Sequence, residues 1–210
     1  FVLYFRNSLG VTLVAVLISL VASTLTGYGA TRFNFRGKNT FLSFILMTQM
    51  FPSIMLLVPF YKILSVYGLN NSLVGLCIVY VSFTIPFCSW MMVGYFRTIP
   101  TGIDESAAID GASHLQTFWK IALPLVKPGL VSSAIYAFIT CWNEYMFAAI
   151  LLVNDKLKTA AVAIAEMNGY YKIAWNDMMA ASLVASVPLI IAFVFMQKSF
   201  ISGLTAGAVK

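Results

Sequence analysis

Charge is scarce in this sequence. Asp, Glu, Lys and Arg make up 10% of 210 residues, where soluble domains run near one quarter. Hydrophobic residues make up 60%, and the mean hydropathy is +0.89. A water-soluble globule is excluded, and an integral membrane protein of one domain, residues 1–210, is expected. Histidine is nearly missing: His114 is the only one. There is no His-Glu-x-x-His helix and no Gly-x-Ser-x-Gly elbow, and a Ser-His-Asp site would have to recruit His114. There is no phosphate-binding loop either. Arg36-Gly37-Lys38 lacks the earlier glycine, and the following hydroxyl is displaced. No enzyme, no catalytic residue, no metal and no cofactor of its own are expected. Cys77, Cys88 and Cys141 are odd in number, lie in apolar segments and lack metal spacing, so they are read as buried free thiols. Acidic residues are outnumbered, giving a net charge of +6. In a soluble chain that surplus suggests nucleic acid. Here the basic residues flank apolar runs, which is how orientation is set in membranes, so lipid is the expected partner and nucleic acid is not.

What is present is a set of long apolar runs. Five reach the length of about 20 residues that a helix needs to cross a bilayer: residues 9–30, 41–66, 72–96, 130–153 and 179–201. They are continuous and lack two-residue alternation, which favours helices over barrel strands. The fold class is therefore all-α, a polytopic transmembrane helix bundle. Placing the loop after the first run inside puts Arg32, Arg36, Lys38, Arg97, Lys120, Lys127, Lys198 and Lys210 there. Arg6, Lys62, Lys156, Lys158 and Lys172 stay outside, so the excess has the correct sign. Residues 101–128 are then cytoplasmic, and the loop 154–178 faces outward. Gly27, Gly29, Gly75, Ala148, Ala149, Ala180, Ala181 and Ala185 would let helices approach closely. Pro52, Pro59, Pro86 and Pro188 each remove a backbone donor and can kink a span.

The loop 101–128 is long for a connection between membrane helices and has its own patterning. Thr101 and Asp104 have capping-box spacing, which predicts a helix over 102–109. Gly111 after Asp110 reads as a left-handed break. Ser113 and Gln116 form a second capping box opening a second helix, which Pro124 is expected to end. Ala108, Ala112, Leu115, Trp119 and Ala122 recur at three- and four-residue steps, one apolar stripe across both helices. Such a helix-turn-helix must bury its stripe against a partner or the bilayer surface.

Glu105-Ser106-Ala107, then Gly111, then Ile121-Ala122-Leu123-Pro124 resembles the EAA signature of permease subunits in bacterial ATP-binding-cassette importers. Asp110-Gly111-Ala112 and the tail 203–210 resemble the carbohydrate branch, which contains the second maltose permease subunit. Ser106 stands where that family usually has Ala; Ser is small, so close packing should survive. The resemblance implies a cytoplasmic coupling loop in which Glu105, Ala107, Ala108, Asp110, Gly111, Ala112, Leu115, Ile121, Leu123 and Pro124 meet the ATPase. It implies as partners an ATPase subunit dimer that binds the ATP, a second permease subunit expected to differ from this one, and an extracytoplasmic solute-binding protein. It implies a bacterial cytoplasmic (inner) membrane, multi-pass location. The chain begins at Phe1 with no initiator Met and no basic n-region, so no signal peptide is read. That family usually carries one more helix ahead of the position of Asn7. Either that part was not included or the form is shortened.

Glu144 is the sharpest single residue, since an ionised group at the bilayer centre costs about 2.5–3.5 kcal/mol. With Ser133, Ala137 and Thr140 it has the spacing of one helical face, with Asn143 beside it. Ser133, Tyr136, Thr140, Asn143 and Glu144 are the solute-path residues expected from this. The competing role for Glu144 is a hydrogen bond across helices. Trp90, Trp142 and Tyr136 could stack on sugar rings, although helix packing explains them equally well. In the outer loop, residues 159–166 are expected to form a short surface helix. Tyr170, Tyr171 and Trp175 suit the membrane interface. In the resembled family the matching loop reaches the binding protein. The reading is a carbohydrate permease subunit coupled to a separate ATPase. Three alternatives stay open: the same mechanism for glycerol phosphate or an amino acid, an ion-coupled secondary transporter with Glu144 as relay, or a membrane scaffold with no solute dependence.

Overall fold

The computed structural model describes residues 1–169 and 175–208, with side-chain surroundings up to residue 194. Among the described residues every regular element is helical. In order they are α1 (Val2–Arg32), α2 (Lys38–Thr48), a 3-10 turn (Ser53–Leu56), α3 (Leu57–Val66), α4 (Leu73–Arg97), α5 (Thr101–Ile109), α6 (His114–Thr117), a π-helical turn (Phe118–Ala122), α7 (Leu123–Leu125), α8 (Lys127–Trp142), α9 (Met146–Leu151), a second 3-10 turn (Asp155–Leu157), α10 (Ala160–Glu166) and α11 (Trp175–Ala208).

Three of the expected runs fall in single helices, α1, α4 and α11, each long and apolar enough to cross a membrane. The other two are broken. The run 41–66 bends by 95° between α2 and the Ser53–Val66 segment. Pro52 sits at that break as the residue capping the 3-10 turn, where its missing N–H costs nothing. The run 130–153 stops at Trp142 and restarts at Met146. Pro59 lies in the first turn of α3, where proline is tolerated, whereas Pro86 and Pro188 lie inside α4 and α11, which continue through them.

α1 and α4 form the central pair. A Cβ on Gly27 would lie 2.8 Å from Met92 Cβ, so only glycine allows this approach. Further along the same seam the hydroxyls of Ser19 and Thr84 meet at 2.6 Å. The neighbouring Gly29 faces nothing within 4 Å, and Ala148 and Ala181 are buried while Ala180 is exposed. Three apolar clusters follow α1 along its length. Val11 and Ala15 join Leu76, Val79, Phe147 and Leu151. Val16 joins Cys88 and Ala137. Tyr28 joins Met92, Phe96, Phe118, Ala122 and Val126. All three cysteines are free and buried.

The two ends of α1 hold different things. Near its start, Asn7 Nδ2 donates to the carbonyls of Lys156 and Lys158 at 2.9 and 3.1 Å, and Ser8 Oγ accepts from the Ala160 N–H at 2.8 Å. At its far end, Tyr28 donates to the His114 carbonyl and Arg32 pairs with Asp104. The loop carrying α10 and the helix pair α5–α6 therefore lie at opposite ends of the bundle. The 31 residues of α1 rise about 46 Å, more than a hydrocarbon core of about 30 Å.

α10 forms where the short surface helix is expected, with one face turned inward. Ala160, Val162 and Ala163 are buried, and Val162 joins the first apolar cluster. Lys158 bridges Asp155 and Glu166, each at 2.6 Å. Its hydrogen bonds to these two carboxylates hold its pKa above the ordinary lysine range. Trp175 is exposed at the start of α11. Tyr170, Tyr171 and Lys172 lie outside the described residues, as do the side chains of Lys198 and of the tail 203–210.

Candidate functional site

The helix pair α5–α6 is built by local chemistry. α5 ends in a left-handed residue: Gly111 has φ +82. The Ala112 N–H donates to the Ala107 carbonyl at 2.9 Å and the Gly111 N–H to the Ala108 carbonyl at 3.1 Å. This is the double closure of a Schellman turn, which requires that backbone. The second capping box is present: Gln116 N–H donates to Ser113 Oγ at 3.3 Å, and Ser113 N–H donates to Gln116 Oε1 at 2.9 Å.

Two local expectations need correction. Thr101 does not cap α5; Pro100 precedes the helix and no side-chain cap is made. The Asp104 carboxylate is instead turned to Arg32. Pro124 does not end the second helix, which runs through α7 to Leu125. The π turn explains this: the Leu123 N–H reaches back to the Phe118 carbonyl. Widening the backbone relieves the clash of a proline ring with the carbonyl four residues earlier. The chain then bends by 73° into α8.

The elbow so formed has two faces. Ala107 and Thr117 are buried, and Phe118 and Ala122 pack against Tyr28 of α1 and Met92 and Phe96 of α4. Ile121 and Leu123 are half-buried. Glu105, Ala108, Asp110, Gly111 and Pro124 are exposed, and Ala112 is half-buried. The expected single stripe stays largely exposed across the Gly111 turn and is buried only at its last residue. Ala122 points in, while Leu115 and Trp119 are 67% and 60% exposed. Ile109, which the stripe did not include, is 87% exposed. Ser106 is exposed and its hydroxyl bonds the Gly102 carbonyl at 2.8 Å, so serine there disturbs no packing. His114 sets its ring edge to Phe33, with centroids 5.5 Å apart.

The expected solute-path residues are not gathered on one open face. Ser133 is fully buried, close to Ala137 and Cys88. Tyr136 is half-buried and lies over Phe87 with centroids 4.0 Å apart. Thr140 is half-buried, while Asn143 is exposed and bonds back to the Ile139 carbonyl at 3.0 Å. Glu144 is not on the α8 face at all, because α8 has ended. Its Oε1 accepts from the Phe147 N–H at 2.8 Å. Its Oε2 accepts from the Ala148 N–H at 3.1 Å and from the Tyr80 hydroxyl at 3.2 Å. Glu144 therefore caps α9 and ties it to α4, satisfying amides that would otherwise be orphaned. Trp142 is buried, donates to the Ala185 carbonyl at 3.1 Å and stacks on Phe138, so helix packing consumes it. Trp90 remains half exposed.

Residues 19–205, the whole elbow included, match the family described as "Binding-protein-dependent transport system inner membrane component". The chain belongs to that family. This permease component is a multi-pass inner-membrane protein. It is 37% identical over 208 residues to the trehalose/maltose transport system permease protein MalG of Thermococcus litoralis, covering 99% of this chain and 75% of that one. It is 36% identical over 208 residues to the maltodextrin transport system permease protein MdxG of Bacillus subtilis, with the same coverages. Among solved structures it superposes on a chain of a bacterial ABC transporter involved in the import of the acidic polysaccharide alginate. The TM-score is 0.81 at 25% identity, over 95% of this permease component and 75% of that chain.

Proposed function

We propose that this permease component carries a carbohydrate across the membrane and takes its power from a separate ATPase subunit. The sugar class rests on the relatives, several of which are named for trehalose, maltose or maltodextrin transport. The coupling role rests on one observation. An elbow packed on one side presents Ile109, Leu115 and Trp119 on the other, next to Glu105 and Asp110. Apolar side chains clustered among charged ones mark a surface that another protein covers.

The elbow seats in a groove of the ATPase on the cytoplasmic side, through Glu105, Ala108, Asp110, Leu115 and Trp119. Gly111 sets its shape; Ala107, Ile121 and Leu123 fix it to the bundle. Closure of an ATPase dimer draws this elbow toward that of a second, different permease subunit. The bundle then turns from inward- to outward-facing. The loop around α10 meets the extracytoplasmic solute-binding protein. ATP chemistry belongs to the partner; this chain is no enzyme and holds no cofactor. The test is uptake by vesicles carrying the full partner set. Orthovanadate is expected to block it, while proton and sodium uncouplers leave it unchanged. Uptake abolished by uncouplers but not by vanadate would assign an ion-driven mechanism instead. Competition by glycerol phosphate or an amino acid, but by no sugar, would reassign the solute.

Two further outcomes are expected here. A photocrosslinker at Asn168, exposed beyond α10, captures the loaded binding protein; no adduct would leave the loop an interfacial cap. Glu144→Gln keeps the complex assembled but lowers transport. The amide supplies one acceptor where Glu144 offers two, and an orphaned buried amide costs about 1–3 kcal/mol. Uptake at the wild-type rate by a stably assembled Gln variant would remove Glu144 from any role in the solute pathway.

A further inference from the structure

The end of α1 is joined to the elbow by a charge pair. Arg32 Nε lies 2.8 Å from Asp104 Oδ2, and the two side chains are only 8% and 21% exposed. Arg32 Nη2 also donates to the Ile99 carbonyl at 3.1 Å, just ahead of α5. The Tyr28 hydroxyl stands beside the same carboxylate. Attraction to the Arg32 guanidinium is the main compensation Asp104 receives for its partial burial. Asp104 lies in the first turn of α5, where the helix dipole adds a smaller favourable term.

Apolar contacts hold the elbow elsewhere, through Phe118, Ala122 and Val126. Such contacts are non-directional and allow one surface to slide on another. A partly buried ion pair beside a hydrogen bond fixes a point. It is also a poor source of stability, since apolar residues of similar volume often do as well or better. What such a pair supplies is a fixed geometry between the two helices.

We infer that Arg32 and Asp104 are positioning residues for coupling: they pin the first turn of the elbow to α1, so that elbow displacement moves that helix. This rests on the coupling role proposed for the elbow. The other end of α1 carries Asn7 and Ser8, which hold the loop around α10. Motion started at the elbow is thereby delivered along α1 to the opposite side of the bundle.

The test uses the complete transporter in proteoliposomes, reading solute taken up per ATP hydrolysed alongside the melting midpoint. In the apolar double variant Arg32→Met/Asp104→Leu the complex assembles and melts as wild type, while uptake per ATP falls about fivefold or more. Asp104→Asn, nearly isosteric, gives the same loss. The charge swap Arg32→Asp/Asp104→Arg recovers part of it. Unchanged uptake per ATP in the apolar double variant and in Asp104→Asn overturns the inference. So does loss of assembly in Asp104→Asn, which would make the pair a plain structural bond. Gly111→Asp, measured in parallel, separates the two levels. If it uncouples while the pair variants do not, only the pair's role is lost. If it too couples normally, the elbow's role fails and the pair's with it.

Discussion

Gly111→Asp is expected to leave the permease in the membrane and to abolish solute-stimulated ATP hydrolysis by the assembled transporter. The backbone at Gly111 is left-handed, with φ +82, and a Cβ there would meet nothing within 4 Å. The substitution therefore adds backbone strain of about 1–2 kcal/mol but no collision. That is too little to unfold a bundle built on the α1–α4 seam. It is enough to distort the turn that aims α6 relative to α5. It also adds a negative charge next to Asp110, on the face that offers Ile109 and Leu115. Immunoblots of membranes and hydrolysis assays with and without loaded binding protein read the two halves separately. Full stimulation in the variant would remove the elbow from the coupling path.

The second large effect is on the fold. Gly27→Val is expected to prevent recovery of a monodisperse permease, or to lower its melting midpoint by several degrees. The added Cβ would lie 2.8 Å from Met92 Cβ, 2.9 Å from the Met92 backbone carbon and 3.0 Å from Phe96 Cδ2. A backbone atom cannot step aside without moving α4. Overpacking of this kind costs typically about 1–3 kcal/mol, and parting the helices also strains the Ser19–Thr84 hydrogen bond. Gly29→Val is the control, because a Cβ there meets nothing within 4 Å. It should behave as wild type in size-exclusion and thermal-melt measurements. Equal behaviour of the two variants would show that α1 and α4 do not approach this closely.

The elbow was legible in the sequence where its determinants are local. Gly111 and the Ser113–Gln116 box act over three or four residues, and both are made as expected. The Thr101–Asp104 spacing is equally local, yet Asp104 is claimed by Arg32 from a distant helix. Nothing in the spacing of residues 101–104 carries that information. For Glu144 the expected hydrogen bond across helices is made, to Tyr80, but its placement on the α8 face was wrong for a different reason. Helical periodicity assumes an unbroken helix, and it placed Glu144 on the α8 face. The carboxylate instead supplies the acceptors that let the helix stop and restart. Tyr80, its third donor, had no signal of its own. Hydropathy found the run 41–66 but records composition only. A 95° bend leaves the composition unchanged, and only Pro52 hinted at it. The inward packing of α10 was hidden because its anchors, Asn7 and Ser8, belong to the start of the chain.

α1 is gripped at both ends by polar side chains, Asn7 and Ser8 at one and Arg32 at the other. Asn7 and Arg32 are about seven helical turns apart and so face nearly the same direction. Deleting or inserting a single residue between them would rotate one grip relative to the other by about 100°. The spacing of the two grips therefore constrains α1 as firmly as the close approach at Gly27 does. The number of residues in α1 acts as a phase setting, and changing it by one would detach either the outer loop or the elbow.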